Sequence, residues 1–395
     1  MPTTSHTITL DPAVPAAQEG ELASRVYFVS EAILDFSLVR DPAGVRAVEM
    51  VLRDGVDPDD LARKLRFMVS NDVLGQRRID AKTIWRSSTR AAPQDVFDEL
   101  VRRGIASEAG EGQIAVGEPV LSLMDQLDAR LRAVAVDELG AAEFRYPTLI
   151  PTSALDRCGY FQSFPQLMMF VTRLHGDVDT YLRFREDTAD GDDLSAVLRA
   201  HAGDFDSCLP PTMCFHTYHQ LADRELPAPS MSVTARGKSF RFESRYRRSL
   251  ERLWDFTIRE IVFLGDRDDV LARRRRLMER TWELVEDLAL DGRCVVANDP
   301  FFVDVGTTER VWSQHLLELK YELRMPLGAG RDVAVGSFNF HDQFFGDSFG
   351  IESNGQAVYT ACAGFGLERL AYAFLCRHGL DPDRWPDRVR EALRS

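Results

Sequence analysis

Apolar and polar residues follow two different rhythms along the chain, which predict a mixture of long helices and strands. Over residues 119–139 apolar positions recur every three or four residues, as on one side of a helix. That side carries Leu121, Leu123, Met124, Leu127, Leu131 and Val134. The same reasoning predicts helices at 269–288 and 366–378, and strands at 230–233, 240–243, 258–263, 333–338 and 357–359. Because helices and strands do not alternate strictly, the pattern favours an α+β fold with an antiparallel sheet flanked by helices.

The first 117 residues give a less regular pattern. Residues 1–24 are polar and rich in Pro and Ala, so we expect a disordered tail there. The tail has no basic start followed by an apolar stretch, so no signal peptide is predicted and we expect a cytoplasmic protein. Residues 25–117 predict a small mixed α/β domain, with helical spacing at 45–52 and 93–101 and a glycine-rich turn at 110–112. A helix followed by a hairpin is common in small winged-helix folds, so one interpretation is a winged-helix-like domain.

Composition and charge narrow the class of protein. Of the 395 residues 45% are hydrophobic and 28% are charged, which is ordinary for a soluble globular protein. No apolar run reaches the ~18 residues needed to cross a bilayer, so no membrane association is expected. The formal net charge of −14 lowers the expectation of a large tRNA-binding surface, because affinity for nucleic acids comes largely from phosphate neutralisation. The six cysteines form no CxxC pair and are expected to be reduced.

A first candidate for chemistry is the tripeptide Arg241-Phe242-Glu243, in a strand that leads into an arginine-bearing loop. Activation of a carboxylate with ATP needs positive charge on the α-phosphate, and a guanidinium is planar, always charged and bidentate. Arg241 suits that role, and Glu243 can accept a hydrogen bond from the adenine amino group. The alternative interpretation is an exposed hairpin with ordinary surface charges.

A second candidate runs from Gly364 to Arg369, with the sequence Gly-Phe-Gly-Leu-Glu-Arg. Its two glycines allow close approach of a neighbouring strand or ligand. The chain then enters an apolar helix, whose first turn would present Arg369 where free N–H groups already favour a phosphate. A tight strand-to-helix turn with a surface ion pair is the alternative.

Together these segments resemble the class II aminoacyl-tRNA synthetases. The second motif of that class is matched by Arg241, Glu243, Arg252 and Phe256, and the third by residues 364–369. The first motif, a Gly seven residues before a Pro at the dimer interface, fits Gly140 and Pro147. The resemblance implies a class II catalytic domain over residues 118–395, an ATP site formed by these residues, and a homodimer.

The stretches at 335–346 and 359–362 narrow the resemblance. They look like the zinc-dependent seryl-tRNA synthetases of methanogens, and still more like their shortened relatives, the amino acid:[carrier protein] ligases. The resemblance implies that Cys214, Glu260 and Cys362 hold Zn²⁺ in the amino-acid pocket. Thiolates suit zinc, and three protein ligands leave a fourth position for the substrate's amino group. On residue type alone, the two cysteines would be buried apolar residues.

Other residues that invite a functional interpretation are expected to have structural roles. The remaining cysteines are expected to be buried in the core: Cys158, Cys208, Cys294 and Cys376. His216 and His219, close to Cys214, are expected to pack or line the substrate pocket, with metal binding as the alternative. The run Arg273-Arg274-Arg275-Arg276 is expected to be the solvated face of a helix, with contact to an acidic partner as the alternative.

The resemblance implies a two-step reaction. A small amino acid, glycine or alanine with serine behind, would react with ATP and Mg²⁺ to give an aminoacyl-adenylate. The phosphopantetheine thiol of a carrier protein would then accept the aminoacyl group, and tRNA is the less favoured acceptor. The magnesium-binding acid stays open, since the position that matches the family's acid is Val333 or Ala334; nearby candidates are Asp332, Glu318 and Glu322. The alternatives are a zinc-dependent seryl-type tRNA synthetase and a non-catalytic paralogue that serves as an interaction or regulatory subunit.

Overall fold

The structure, a computed structural model, describes residues 3–74, 82–90, 92–174, 176–189, 193–243, 249–297 and 320–394. The chain divides into two compact units. The first comprises Met1–Ala81 and Glu243–Arg252, and the second comprises Lys82–Phe242 and Leu253–Ser395.

The first unit is a small antiparallel sheet with two helices. Its elements are β1 (Thr3–Val14), α1 (Glu19–Arg25), β2 (Ile33–Asp41), β3 (Gly44–Arg53) and α2 (Pro58–Met68). Strand β3 lies between β1 and β2. The buried faces of the strands and helices form a core of their own, which includes Ile8, Val48 and Leu65. Helix α2 begins with an Asp57 cap and Pro at its first position, both common helix-start signals.

Two predictions for this region are wrong. The expected disordered tail at residues 1–24 contains β1, because Ile8, Leu10 and Val14 are buried against β3. The expected helix at 45–52 is β3. Its apolar residues fit helical spacing, but β3 is the central strand and pairs on both edges, so tertiary pairing overrides the local pattern.

The second unit contains the other described elements. Its strands are β4 (Thr83–Arg86), β5 (Ala106–Gly110), β6 (Gln113–Val116), β7 (Ala142–Phe144), β8 (Ile150–Pro151), β9 (Phe170–Val171), β10 (Ser207–Cys208), β11 (Arg224–Glu225), β12 (Met231–Phe240), β13 (Asp255–Gly265), β14 (Arg293–Val296), β15 (Lys320–Gly328), β16 (Arg331–Phe340), β17 (Ile351–Ser353), β18 (Gln356–Ala357) and β19 (Tyr359–Gly366). Its helices are α3 (Phe97–Arg102), α4 (Val120–Ala133), α5 (Thr152–Asp156), α6 (Tyr160–Ser163), α7 (Val178–Ala189), α8 (Leu194–His201), α9 (Cys214–Leu221), α10 (Arg267–Asp287), α11 (Phe344–Phe349), α12 (Leu367–His378) and α13 (Asp387–Arg394).

Among the described residues, eight strands of this unit form one sheet in the order β4-β14-β15-β16-β19-β13-β12-β7. Each neighbouring pair is antiparallel except β12 and β7 at one edge. Helices α10 and α12 bury apolar faces beside the sheet, and α4 packs on α12. The predicted α+β fold with an antiparallel sheet flanked by helices is therefore confirmed.

The boundary of the small unit differs from the prediction, because residues 82–117 cluster with the larger one. Strand β4 pairs with β14 and so forms an edge of the main sheet. The amide of Gln94 also donates to the carbonyl of Cys376 at 2.9 Å. The predicted helix and hairpin exist as α3 and β5–β6, but they do not belong to a winged-helix domain of residues 25–117.

The predicted long helices are confirmed with small differences in bounds. Helix α4 begins at Val120, and Leu121, expected on its apolar side, is 44% exposed. In α10 the arginine run is not a single solvated face. Arg274 is buried with its guanidinium 5.1 Å from the Tyr321 ring centroid, whereas Arg275 and Arg276 are exposed. Helical geometry turns successive residues in different directions, so four consecutive arginines cannot share one face.

A buried ion-pair network joins α4 and β7 to the sheet. Arg259 on β13, only 2% exposed, donates from Nε and Nη2 to the two carboxylate oxygens of Asp128 at 2.7 Å. Its Nη1 donates to Glu143 at 2.9 Å. This bidentate contact holds β13 in place next to Glu260. In the described part of the chain, no helix has the length and apolar content needed to cross a membrane.

Candidate active site and metal centre

The site is built around the neighbouring strands β13 and β19. Their antiparallel register places Glu260 opposite Gly364 and Val262 opposite Cys362. Residues directly opposite in an antiparallel pair project to the same face of the sheet, so Glu260 and Cys362 share a face. A side chain at Gly364 would come within 2.8 Å of Ile258 Cδ1 and 3.3 Å of Glu260 Oε2. The glycine therefore leaves room for the Glu260 carboxylate.

The three predicted metal ligands come together on this face. One ligand atom from each of Cys214, Glu260 and Cys362 lies within 4.8 Å of the other two. Cys214 comes from the first residue of α9, and the other two come from β13 and β19. All three residues are buried. Two thiols and one carboxyl are a donor set that suits zinc, and three protein ligands would leave one position open.

Burial makes the cluster unfavourable for negative charge. It raises the pKa of Glu260 to about 7, although the Thr212 hydroxyl donates to Glu260 Oε2 at 2.6 Å and Arg241 opposes the shift. Burial also raises the pKa of Cys214, and hydrogen bonding with Cys214 together with burial raises that of Cys362 well above its usual range. A bound cation would favour the ionised form of all three groups, so the residues present fit a metal ion.

Two further side chains contact Cys362. Asn339 Nδ2 lies 3.6 Å from Cys362 Sγ, and Asn339 is paired with Cys362 in the β16–β19 ladder. His341 Nε2 lies 3.7 Å from the same sulfur, while its Nδ1 is 3.3 Å from Thr360 Oγ1. Desolvation lowers the pKa of His341 to about 3, so the imidazole is neutral at physiological pH. Thr212, Asn339 and His341 had not been predicted as site residues.

An aromatic wall lies beside the two thiols. Tyr218 stacks on Phe345 with ring centroids 4.1 Å apart, and His341 meets Phe345 edge to face at 4.9 Å. Burial and the neighbouring thiols of Cys214 and Cys362 raise the pKa of Tyr218 well above its usual range. The wall is rigid because its rings pack on one another.

Arg241 of the second motif is held next to this pocket. Its Nε donates to the carbonyl of Pro211 at 3.0 Å, and its guanidinium lies 5.5 Å from the Phe256 ring centroid. Its positive charge lowers the pKa values of Glu260 and Cys214, against the effect of burial, which is the electrostatic sign of proximity. The strand predicted at 240–243 ends at Phe240, so Arg241 and Glu243 lie beyond β12. The β12–β13 hairpin brings one arginine and one aromatic ring to the metal-ligand face.

Glu243 and Arg252 form an ion pair with each other. Arg252 Nη1 donates to Glu243 Oε2 at 2.7 Å, and Glu243 is the more buried partner. Both residues belong to the short segment that clusters with the first unit. The loop between them, 244–248, lies outside the described residues. The pairing shows two of the predicted nucleotide-binding residues in contact, and their roles stay predictions.

The third motif turns from β19 into α12 as predicted. Arg369, in the first turn, donates from Nη1 to the carbonyl of Ala334 at 3.3 Å. The neighbouring Glu368 is buried and accepts hydrogen bonds from the amide and the hydroxyl of Thr257 at 2.7–2.9 Å. The acid of the motif thus ties the turn to β13, and the arginine faces β16.

The candidates for the magnesium acid differ in availability. Asp332 is ion-paired with Arg293 and Arg324. Glu322 is paired with Ser337 across β15 and β16, and Ser337 is paired with Gly364 on β19. Gly364 is in turn paired with Glu260 on β13. These four residues therefore form one row across the sheet, and Glu322 projects to the same face as Glu260. Glu322 is itself paired with Arg324 at 2.7 Å. Glu318 lies outside the described residues.

The first motif and the neighbouring histidines lie at the edge of the sheet. Strand β7, between Gly140 and Pro147, pairs in parallel with β12. His216 stacks on Tyr146 with centroids 5.2 Å apart, and burial lowers its pKa to about 4. His219 is exposed. Neither histidine is in the metal-ligand cluster, in agreement with the packing role expected for His216. The other cysteines are free and buried, as expected: Cys158, Cys208, Cys294 and Cys376.

Solved structures with the same architecture define the class. The chain matches the Methanopyrus kandleri seryl-tRNA synthetase solved in complex with A. aeolicus tRNASec, with a TM-score of 0.70 and 24% identity over 99% of this chain and 77% of that one. It matches the Pyrococcus horikoshii seryl-tRNA synthetase complexed with ATP with a TM-score of 0.54 and 15% identity, over 73% of this chain and 60% of that one. The protein therefore has the class II aminoacyl-tRNA synthetase fold.

Sequence relatives give the family. Amino acid–[acyl-carrier-protein] ligase 1 of Bradyrhizobium diazoefficiens is 34% identical over 313 residues, which cover 78% of this chain and 93% of that protein. Ligase 2 of the same organism is 36% identical over 310 residues, 77% of this chain and 88% of that protein. The chain belongs to the amino acid–[acyl-carrier-protein] ligase family and is a ligase. The type-2 serine–tRNA ligase of Methanopyrus kandleri is 27% identical over 76% of this chain and 60% of that protein. No protein-family model matches.

Proposed function

We propose that the protein activates a small amino acid and transfers it to the phosphopantetheine thiol of a carrier protein. The favoured amino acids are glycine and alanine, and serine is the next candidate. The observation that carries the proposal is the meeting of Cys214, Glu260 and Cys362 within 4.8 Å, on the strand pair that leads into Arg369. The strand that supplies Cys362 to this cluster thus leads directly into the helix that carries a candidate phosphate-binding arginine. The family relationship supports the carrier protein as acceptor.

Amino-group recognition is proposed to involve a zinc ion held by Cys214, Glu260 and Cys362. When bound, zinc would supply an open fourth position for the uncharged amino nitrogen of the substrate. Thr212 orients the Glu260 carboxylate through its 2.6 Å hydrogen bond. The aromatic wall of Tyr218, Phe345 and His341 supports a preference for a small substrate side chain. Because these rings pack on one another, they cannot easily shift to make room for a larger one.

Nucleotide binding is proposed for the residues of the second and third motifs. Arg241 and Arg369 would hold the phosphates and stabilise the charge that develops during attack of the amino-acid carboxylate on the α-phosphorus. The Phe256 ring, beneath the Arg241 guanidinium at 5.5 Å, offers a surface for the adenine base. Glu243 would accept from the adenine amino group, with Arg252 holding its carboxylate. Glu322 is the candidate for Mg²⁺, because it lies in the row that leads to Glu260.

Transfer follows from the chemistry of the adenylate. The carrier's thiol sulfur attacks the aminoacyl carbonyl carbon and a C–S bond forms. The bond from that carbon to the phosphate oxygen breaks, AMP leaves, and the thiol proton passes to solvent. Chain residues contribute mainly by holding the two reacting groups in line.

The activation step is tested by amino-acid-dependent exchange of pyrophosphate into ATP, measured with each amino acid before and after zinc chelation. We expect exchange with glycine, alanine or serine, and its loss on chelation and in Cys362→Ala. The matched control is Cys376→Ala, which removes another buried cysteine of the same unit and should leave zinc content unchanged. Absence of exchange with every amino acid would favour the non-catalytic paralogue, and exchange unaffected by metal removal would overturn the zinc assignment alone.

The acceptor is tested separately. Radiolabelled amino acid, ATP and enzyme are incubated with a phosphopantetheinylated carrier, with the same carrier after alkylation of its thiol, and with bulk tRNA. We expect label only on the free-thiol carrier, in a bond cleaved by hydroxylamine. Labelling of tRNA and not of carrier would identify a seryl-type tRNA synthetase instead.

A further inference from the structure

Cys362 has two close polar neighbours besides Cys214 and Glu260, namely Asn339 and His341. The position of Asn339 is set by the register of β16 and β19, which places it directly opposite Cys362. His341 lies two residues further along the chain, just beyond the end of β16. Its backbone amide donates to the carbonyl of Thr360 at 2.9 Å, which fixes the start of its side chain beside β19. The imidazole Nε2 then lies 3.7 Å from Cys362 Sγ.

From this geometry we propose that His341 is a positioning residue for the metal: its Nε2–H donates to the Cys362 thiolate and so sets how tightly the centre holds its ion. The inference rests on the proposed zinc site. It concerns a residue that does not itself coordinate the metal, and no ligand role is assigned to it.

The surroundings of the ring's other nitrogen are compatible with the tautomer that can do this. Nδ1 is 3.3 Å from Thr360 Oγ1, a hydroxyl that can donate as well as accept. When Thr360 donates to Nδ1, the single proton of a neutral imidazole is on Nε2, facing Cys362. A thiolate can only accept, so this tautomer is the one that satisfies both contacts. The chain of donors runs from Thr360 through His341 to Cys362.

The charge of the centre explains why such a donor matters. Two thiolates and one carboxylate carry three negative charges against two on Zn²⁺, in a buried site with little water to stabilise the excess. An N–H dipole directed at a sulfur offsets part of that charge and fixes the direction of the ligand. Asn339 Nδ2, 3.6 Å from the same sulfur, supplies a second N–H group. Less excess charge on sulfur should also leave the zinc a better acceptor for the substrate's amino nitrogen.

A purely structural role is the competing explanation. The His341 ring packs edge to face on Phe345 at 4.9 Å and lies 6.4 Å from Tyr218, so its removal could loosen the aromatic wall. His341→Phe separates the two roles, because it keeps an aromatic ring and removes both nitrogens. His341→Gln is the rescue variant, since its side-chain amide can again place an N–H near the Nε2 position.

The experiment replaces the native ion with Co²⁺, whose thiolate charge-transfer absorption reports the electronic state of the bound sulfur. In His341→Phe we expect this band to move to lower energy, because a thiolate without its N–H partner is a stronger electron donor. We also expect zinc affinity, from competition with a chromophoric chelator, to fall by about 10- to 100-fold. His341→Gln should retain the wild-type band position and lie within a few-fold of wild-type affinity.

Controls separate the possible failures. His378→Phe changes another imidazole, one that contacts the backbone oxygen of Leu288, and should alter neither band nor affinity. A His341→Phe protein with the wild-type band and affinity would overturn the inference, even if its melting temperature were lower. A wild-type protein that binds Co²⁺ without any thiolate band would overturn the proposed zinc site itself. If His341→Phe does not fold, an unchanged band in Thr360→Val, which removes only the tautomer-fixing hydroxyl, would contradict the proposal and a shifted band would support it.

Discussion

Glu260 combines a carboxyl group with surroundings that disfavour its charge. It is 2% exposed and lies between two thiols, and its hydroxyl donor Thr212 and the nearby Arg241 only partly compensate for burial. A buried carboxylate whose charge is only partly compensated destabilises the folded state, unless a bound partner such as a metal ion stabilises that charge. Strongly perturbed groups gathered at one place are typical of functional sites.

Glu260 should therefore make a contribution to the stability of the metal-free protein that is lost as pH rises. Burial raises the pKa of Glu260 from its ordinary value of 4.5 to about 7, so the folded state binds more protons than the unfolded state between these values. The Glu260 contribution to the free energy of unfolding should fall through this window by about 3 kcal/mol. His341 and His216, whose pKa values burial lowers, contribute in the opposite direction. Urea unfolding of chelator-treated protein at pH 4.5–7.5 measures the effect.

Two comparisons make the pH test specific. Glu260→Gln keeps the shape of the side chain and should change the pH dependence of the metal-free protein, since its stability relative to the wild type should rise with pH. An exposed carboxylate, as in Glu108→Gln, should leave it unchanged. Equal pH profiles for the wild type and Glu260→Gln would show that the carboxyl is not desolvated as described.

Arg369 gives a second prediction for a single side chain. Loss of a charged donor that stabilises a transition state lowers turnover by about 10²–10³-fold. We expect Arg369→Ala to reduce pyrophosphate exchange by that amount while zinc content stays at the wild-type level. The control is Arg377→Ala, an exposed arginine further along α12. A loss of zinc equal to the loss of exchange would show that Arg369 acts on the pocket and not on the nucleotide.

Sequence reasoning found the residues that have a distinctive chemical type in a recognisable order. The cysteines at 214 and 362 and Glu260 meet in space as the resemblance implied. Asn339 and His341 had no such signal, because a donor's importance depends on which atom it faces, and that follows from strand register. The alternation of Ser337, Asn339 and His341 with phenylalanines at the end of β16 was the one clue in the sequence.

Strands β13 and β19 form the element pair on which the site depends. From β13 come Phe256 and Glu260, and from β19 come Cys362 and Gly364. Glu368 then binds Thr257, which locks the end of one strand to the start of the helix that follows the other. Because side chains alternate between the faces of a strand, a slip of one residue would turn these groups away from the site.

Gly364 tests this arrangement. In Gly364→Ala the new methyl group would lie 2.8 Å from Ile258 Cδ1 and 3.3 Å from Glu260 Oε2, so the carboxylate has to move. We expect weaker zinc binding, measured by chelator competition, with little change in secondary structure by circular dichroism.

The matched substitution is Gly366→Ala on the same strand. There the nearest neighbour of the added methyl group is Arg369 Cδ at 3.7 Å, an ordinary contact. Zinc affinity should be close to the wild-type value. Equal zinc affinity in the two variants would mean that Gly364 does not make room for Glu260.

Among the helices and strands, prediction succeeded where a regular pattern extends over many residues. It failed where pairing with distant strands determines the secondary structure. The long helices α10 and α12 were placed within two residues at each end, because each has many turns of consistent spacing. Strand β3 was mistaken for a helix, since Val45, Val48 and Leu52 also fit a helical spacing. Only its two neighbours, which lie earlier in the chain, determine that it is a strand.

The whole molecule consists of two compact units with separate cores. The three metal-ligand candidates belong entirely to the larger unit. Ligand binding stabilises the part of a structure that contains the site, and opening free energies differ from region to region. The response to metal should therefore be confined to one unit.

Hydrogen exchange provides the measurement. Removal of zinc should increase exchange at β13 and β19, whereas β3 of the smaller unit should exchange at the same rate with and without metal. Cys376→Ala with zinc bound controls for general loosening of the larger unit. Equal acceleration in β3 and β19 would show that the units unfold together.

The net charge of the chain affects which acceptor, tRNA or a carrier protein, it can attract. A formal net charge of −14 repels a polyanion such as tRNA and gives no steering towards it. Charge alone does not attract a carrier protein, so recognition of the proposed acceptor has to come from local contacts.

The wide separation of Cys214, Glu260 and Cys362 along the chain affects how the protein is made. During synthesis the first two emerge well before the third, and β19, which carries Cys362, must insert between β16 and β13. A growing chain that has only Cys214 and Glu260 offers two ligands, fewer than the three that the proposed zinc site needs. Metal capture would then follow completion of the sheet, and an incomplete chain without Cys362 would not retain its ion.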